Sequence, residues 1–351
     1  PLATARKGQE RPAVPGIRKQ GSEGMMLDAS QYINQVLHGK CEDVLATIPS
    51  ESVDLIVTSP PYADNRKLAG AYQGVPIDGY VDWFKPIGEE LFRVLKPRGS
   101  FILNIKERAV KGERQVYVLL LILALKEQGW SWVEEYIWHK SNCFPGKWPN
   151  RFRDAWERCL HFTKTPQPRG FDMYQENVTV PVGEWAKSRL KNLSATDKTR
   201  DESRVGSGMG KRVENWVGRD MVNPDNVLHF ATESGNRDHG ATFPITLPDW
   251  FIRLFTNDPE HIVLDPFLGS GTTALAALDR DRRWIGIEVS DHYCDVAQQA
   301  IQKKQQAIQK KQSNQRHVCL PDPMESPSEG VLMDYRHEIH DYLVEKGERE
   351  E

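Results

Sequence analysis

The chain lacks most of what marks a specialised class of protein. Only five of its 351 residues are cysteine, at Cys41, Cys143, Cys159, Cys294 and Cys319, far apart, with no C-x-x-C and no paired histidine. That spacing argues against a disulfide framework and against a thiolate metal site, and leaves reduced thiols as the expectation. No apolar stretch approaches the roughly 20 residues needed to cross a bilayer. The longest runs from Val116 to Leu125 and ends in Lys126-Glu127. Residues 1–24 carry Arg, Lys, Gly and Pro but no apolar segment of the signal-peptide kind. A cytoplasmic location is therefore expected. A strong charge of one sign is also missing: the formal net charge is −3. The whole chain offers no electrostatic attraction for nucleic acid, so any such surface must come from local clustering.

What is present is an ordinary globular composition, 39% hydrophobic and 27% charged, long enough for one large core with a smaller appended module. The first 26 residues read as a disordered basic arm. Residues 27–163 then alternate short apolar runs with helical patterns. Val53 to Val57 reads as a buried strand and Tyr80 to Leu95 as an amphipathic helix stopped by Lys96-Pro97-Arg98-Gly99. Ser100 to Ile105 reads as a strand, Gln115 to Gln128 as a helix and Trp132 to Trp138 as a third strand. From 164 to 239 the text turns polar and loses its period; from 240 to 312 order returns. There a helix (Leu247 to Asn257), a strand (His261 to Asp265), a Gly-rich turn, a helix, a strand (Trp284 to Glu288) and a helix capped by Ser290 are expected. That last helix ends in a seven-residue echo, Ala300 to Gln305 against Ala307 to Gln312, with few apolar positions, as a solvated helix end would have. The tail 313–351 is acidic: from Pro321 it holds 10 acidic and 3 basic residues, with a short helix expected over Val331 to Lys346. Strands alternating with helices of this length imply an α/β fold with a mostly parallel sheet covered on both faces.

Two segments carry chemistry. The first is Asp265-Pro266-Phe267-Leu268-Gly269-Ser270-Gly271-Thr272-Thr273, a strand end, tight turn and helix start. Gly269 and Gly271 allow a sharp turn and close approach of a ligand to the backbone. Glu288 ends the next strand, 19 residues beyond Gly269. A carboxylate there can take both hydroxyls of a ribose, as in sites for adenosine-containing cofactors. The turn also satisfies G-x-G-x-x-A, so a nicotinamide cofactor and an oxidoreductase stay open, as does a helix-start turn without a ligand. Against the nicotinamide reading, Asp265 suits an ammonium group better than a pyrophosphate.

The second segment is Thr58-Ser59-Pro60-Pro61-Tyr62, directly after the first strand. Two prolines fix backbone dihedrals and remove two donors, at the sheet edge where open α/β folds bind ligands. The Ser59 hydroxyl and Pro60 carbonyl are two acceptors able to take both hydrogens of a nucleobase amino group. Its lone pair, delocalised into the ring, would then be directed at an electrophile, and Tyr62 would stack on the base. No covalent intermediate is needed, since positioning does most of the work. A rigid loop without a catalytic role is the competing reading.

Together and in this order, the two segments resemble the β class of DNA amino-methyltransferases, over about Gln31 to Gln299. In that class the catalytic half comes first, target recognition sits in the middle and the cofactor loop comes last. Leu95 to Gly99, Trp138 to Asn142, Arg151 to Lys164 and Phe243-Pro244 are similar to further family segments. The resemblance implies a Rossmann-like fold that uses S-adenosyl-L-methionine. Thr58, Phe243, Pro244, Asp265, Phe267, Gly269, Ser270, Gly271, Thr272 and Glu288 would form the cofactor site, and Ser59, Pro60, Pro61 and Tyr62 the catalytic one. It implies double-stranded DNA as partner, a restriction endonuclease acting separately, and a monomer or homodimer. The family often has Gly-Asp before its catalytic strand; here Gly39-Lys40-Cys41 stands instead. Family usage pairs Ser-Pro-Pro-Tyr with N4 of cytosine, and Asp-Pro-Pro-Tyr with N6 of adenine.

The middle region supplies the missing local charge. From Trp185 to Arg219 there are nine Lys or Arg against four acids, interleaved with Ser, Asn, Gly and Trp, a composition suited to phosphate contacts. Lys187, Arg189, Lys191, Arg204, Lys211 and Arg212 are the candidate DNA-binding residues. Trp148, Phe152 and Trp156, at near-helical spacing, read as core aromatics.

Overall fold

The computed structural model describes residues 29–64, 74–143, 149–167, 170–193, 217–233 and 243–317. The N-terminal arm, the tail helix and Arg204, Lys211, Arg212 and Trp148 lie outside the described residues. In chain order the elements are β1 (Gln35–His38), α1 (Cys41–Leu45), β2 (Val53–Thr58), α2 (Tyr80–Val94) and β3 (Leu95–Ile105). Next come β4 (Ala109–Val110), β5 (Glu113–Arg114), α3 (Tyr117–Glu127), β6 (Ser131–Lys140), β7 (Trp156–Thr163), β8 (Val180–Pro181) and α4 (Glu184–Lys191). The chain continues with β9 (Met221–Val222), β10 (Val227–Phe230), α5 (Thr246–Phe255), β11 (Ile262–Asp265), α6 (Thr272–Asp279), β12 (Arg283–Glu288) and α7 (Asp291–His317).

Eight strands form one sheet in the order β1-β12-β11-β2-β3-β7-β6-β10. Five of its seven ladders are parallel, and β7 alone runs against both neighbours. Successive side chains of the central strands enter opposite layers, as the two-residue period of a strand requires. Ile56, Phe101, Leu103, Leu264 and Ile285 belong to one buried cluster with residues of α1, α2 and α3. Leu55, Val57, Ile102, Val263 and Trp284 belong to the other, with α5, α6 and α7. Strands apolar on both faces are what a parallel sheet covered on both sides demands, and the expected α/β fold is the one observed.

β2 and β11 are neighbours in the centre of the sheet, with Leu55 opposite Val263 and Ile56 opposite Leu264. From β11 the chain crosses by α6 to β12 on one side; from β2 it crosses by α2 to β3 on the other. Their C-terminal ends therefore flank a topological switch point, the place where open α/β sheets bind ligands.

Three departures from the sequence reading have local causes. Lys96 to Gly99 does not end an element: β3 begins at Leu95, paired with Val53, and the register shifts before Ser100 pairs with Leu55. A Cβ on Gly99 would meet the Asp54 carbonyl oxygen at 2.8 Å, so the irregular stretch needs glycine there. Phe152 is not a core aromatic. It lies in an irregular segment and is 95% exposed, while Arg153 and Asp154 spend their side chains holding that backbone in place. Finally, the 164–239 stretch ends within the central sheet, where β10 pairs in parallel with β6. Four residues are too few for their period to show against polar surroundings. The echo in α7 behaves as expected: Ile301 is its last buried apolar residue, and most positions from Gln302 to Ser313 are exposed. Among the described residues no helix is long and apolar enough to cross a membrane.

Candidate active site

The two segments singled out in the sequence meet at the switch point. Thr58, the last residue of β2 and fully buried, donates its hydroxyl to Asp265 Oδ1 at 2.6 Å. Thr273 donates to Asp265 Oδ2 at 2.6 Å, and the Phe267 N–H donates to Oδ1 at 3.0 Å. A carboxylate has about four acceptor positions, so one remains on Oδ2. Burial pushes the Asp265 carboxyl up to about 6, a rise that its three donors reduce and that Glu288 adds to.

The Gly-rich turn is closed by its own following strand. Glu288 Oε2 accepts the Gly269 N–H at 2.8 Å and Oε1 accepts the Ser290 N–H at 2.9 Å. Two acceptor positions of that carboxylate are thus still open. Gly269 and Gly271 both have positive φ, +54° and +92°, but for different reasons. A Cβ on Gly269 would meet nothing within 4 Å, whereas one on Gly271 would meet Ala297 Cβ of α7 at 3.2 Å. Gly269 therefore leaves open space beside the backbone, and Gly271 lets α6 start against α7. Ser270 and Thr272 are half-buried between them. Phe267, also half-buried, packs its ring 5.8 Å from Trp83 of α2. Phe243 and Pro244 are buried at the entry to α5, where Pro244 accepts the Leu247 N–H. Phe243 shares a core cluster with Leu268. Gly39, before the Lys40 that stands where the family often has Asp, donates its N–H to the Glu288 carbonyl at 2.9 Å.

The tetrapeptide is held from outside. Buried Tyr80, the first residue of α2, donates its hydroxyl to the Pro61 carbonyl at 2.9 Å. Pro60 is buried and Ser59 half-buried. The Tyr62 hydroxyl donates to Glu157 Oε2 at 2.7 Å and lies 3.5 Å from the Ser59 hydroxyl. Burial, then the Glu157 charge, drives Tyr62 well above the usual tyrosine range, so it stays a neutral donor. Glu157 is itself buried and takes Lys140 Nζ on Oε1 at 2.5 Å. Asn104 stands beside this group, 3.4 Å from the Tyr62 hydroxyl. Sequence reasoning missed Tyr80, Asn104, Lys140, Glu157 and Thr273. Glu157 left one signal, a lone carboxylate opening an otherwise apolar strand.

Of the candidate DNA-binding residues, Lys187, Arg189 and Lys191 lie exposed on α4. Lys187 pairs with Glu184 at 2.7 Å, and Arg189 lies over the Trp185 ring. The four described cysteines are free thiols, and among the described residues no group of three or more His, Cys, Asp or Glu is placed to hold a metal.

A doubly covered parallel sheet whose two central strand ends carry a proline-locked acceptor loop and a glycine turn with two carboxylates has the fold of S-adenosylmethionine-dependent methyltransferases. A family model for DNA methylases that act on N6 or N4 matches residues 53–299, and the chain belongs to that family. It is 31% identical over 289 residues to the type II methyltransferase M.PvuII of Proteus hauseri, covering 76% of this chain and 81% of that one. It is 26% identical to the DNA adenine methyltransferase YhdJ of Escherichia coli K12, over 74% of this chain and 79% of that one. Among solved structures it resembles the PvuII DNA methyltransferase (cytosine-N4-specific), with TM-score 0.53 and 26% identity, over 74% of this chain and 83% of that one. A DNA modification methylase of Thermus thermophilus complexed with S-adenosylmethionine shares the fold, with TM-score 0.50 and 22% identity, over 77% of this chain and 93% of that one.

Proposed function

We propose that the chain methylates N4 of a cytosine rotated out of double-stranded DNA, using S-adenosyl-L-methionine. The observation that carries this is the 2.6 Å hydrogen bond from Thr58 to Asp265, because it makes one pocket of the acceptor loop and the glycine turn. The residues fit the cofactor: Gly269 leaves a cradle that a Cβ would fill. Asp265 keeps one acceptor position for an ammonium and Glu288 two for a pair of ribose hydroxyls. Phe267, Ser270, Gly271, Thr272, Phe243 and Pro244 line or back the same end of the sheet. When bound, S-adenosylmethionine supplies an electrophilic methyl on a sulfonium.

The chain's part is to hold the base and sharpen its nitrogen. Ser59 Oγ and the Pro60 carbonyl accept the two amino hydrogens, which localises the nitrogen lone pair for direct, in-line displacement. Tyr80 occupies the Pro61 carbonyl, so Pro61 fixes the loop while Pro60 faces the base. Tyr62, tethered through its hydroxyl, offers its ring for stacking. Region 164–239 recognises the site, with Lys187, Arg189 and Lys191, and with Arg204, Lys211 and Arg212, on phosphates or base edges. Cytosine is favoured by Ser59 and by a relative that is cytosine-N4-specific; adenine N6 is the second reading, favoured by a relative that is an adenine methyltransferase. Methylated DNA is digested to nucleosides and the modified base measured. N4-methylcytosine is expected, and N6-methyladenine alone would overturn the cytosine assignment. Mapping the modified positions gives the recognised sequence.

A further inference from the structure

Phe152 is the most exposed large apolar side chain among the described residues, at 95%. It stands between Arg151 and Arg153 on the segment 149–155 that runs into β7. That segment is fixed. Asp154 takes Arg114 Nη2 at 2.6 Å, Arg151 Nη1 at 3.1 Å and Lys106 Nζ at 3.4 Å. Burial raises the Asp154 carboxyl, and the three cations outweigh it and hold it below the usual aspartate range. Arg153 Nη1 donates to the Cys143 carbonyl at 2.7 Å. The β4–β5 hairpin rests on the same segment: a Cβ on Gly112 would come within 2.7 Å of Asn150 Nδ2.

This unit is joined to the tetrapeptide loop at two places. Arg108, at the base of the hairpin, donates to the carbonyls of Ala63 and Asp64, just past Tyr62. Glu157, five residues beyond Phe152, holds the Tyr62 hydroxyl. Five residues span at most about 18 Å, so the ring stands within a few base steps of the group that positions Tyr62. Residues 108–114 and 149–155 together carry five basic and two acidic side chains. An aromatic held out in water among cations is matched to a polyanion that offers flat faces, which is what DNA presents.

We infer that Phe152 enters the DNA base stack beside the target nucleotide, with the cationic hairpin and its flanking arginines on the neighbouring phosphates. This rests on the function proposed above. Rotating a base out leaves an unstacked gap, and an apolar ring filling it offsets part of the cost. The contact lies outside the 164–239 region that the sequence marked for DNA.

The test uses synthetic duplexes carrying the mapped site, one fully paired and one with the target base mispaired, and the Phe152→Ala and Phe152→Trp variants. On the paired duplex Phe152→Ala is expected to lose about tenfold in kcat/KM, while Phe152→Trp stays near the unsubstituted chain. On the mispaired duplex the base leaves the stack easily, so the Phe152→Ala deficit shrinks to within twofold. Cofactor affinity and thermal midpoint stay unchanged, as they should for a side chain in solvent. A Phe152→Ala variant within twofold on paired DNA, or equally impaired on both duplexes, overturns the inference and leaves the function standing. An unsubstituted chain that methylates neither duplex overturns the function and the inference with it.

Discussion

The two loops that meet between β2 and β11 are fixed by opposite means. The glycine turn is held by its own neighbourhood: Asp265, Phe267, Thr273 and Glu288 bond within one strand–helix–strand unit. The tetrapeptide is held by side chains remote in sequence, Tyr80 on its Pro61 carbonyl and Glu157 on its Tyr62 hydroxyl. Only Thr58–Asp265 couples the two. A self-contained turn can hold a cofactor as a rigid cradle, while a loop tied to α2 and β7 can sense what the rest of the molecule has bound.

The sharpest way to break this comparison is Ser59→Ala. If the tetrapeptide acts on the base and the turn on the cofactor, turnover falls about 100-fold or more. Cofactor affinity measured by calorimetry stays within twofold. Equal loss in both would mean the loops are one functional unit. Glu157→Gln is expected to cost about tenfold in turnover, since the amide can still accept from Tyr62 but no longer pairs with Lys140. Combined with Tyr62→Phe it should add little further loss, because residues acting through one hydrogen bond are not additive.

The turn has a pH signature of its own. With its carboxyl raised to about 6, Asp265 becomes neutral as pH falls through that value. The cofactor's Kd therefore rises below pH 6, approaching tenfold per unit. Stability of the cofactor-free chain moves the other way. The folded state takes up the proton before the unfolded one, so between about pH 6 and pH 4 acid stabilises the fold relative to Asp265→Asn, by an amount on the order of 3 kcal/mol. Comparing the pH dependence of urea midpoints for the two chains checks the sign.

The smallest effects separate the two glycines. Gly271→Ala is expected to cost about 1–2 kcal/mol in stability, through its positive φ and the 3.2 Å approach to Ala297. Gly269→Ala carries a similar backbone cost but also fills the open cradle, so it alone should weaken cofactor binding beyond the stability loss. Thermal melts with and without S-adenosylmethionine distinguish them.

Within the described residues, the order of strands and helices, the doubly covered parallel sheet and both motif-bearing loops were legible in the sequence. Each rests on short-range signals: apolar runs in β2 and β11, the amphipathic period of α2, prolines and glycines at the turns. The structure alone decided that β10 joins the sheet, that Phe152 stands in solvent, and that Tyr80 and Glu157 hold the tetrapeptide. Those depend on which distant strands lie side by side. Glu157 looks like an ordinary surface carboxylate until β7 is inserted against β3, at the edge where Tyr62 and Lys140 also arrive. The pairing of Thr58 with Asp265, 207 positions apart, is the clearest case. Each residue ends its own strand for local reasons, and only adjacency in the sheet makes one site of the two.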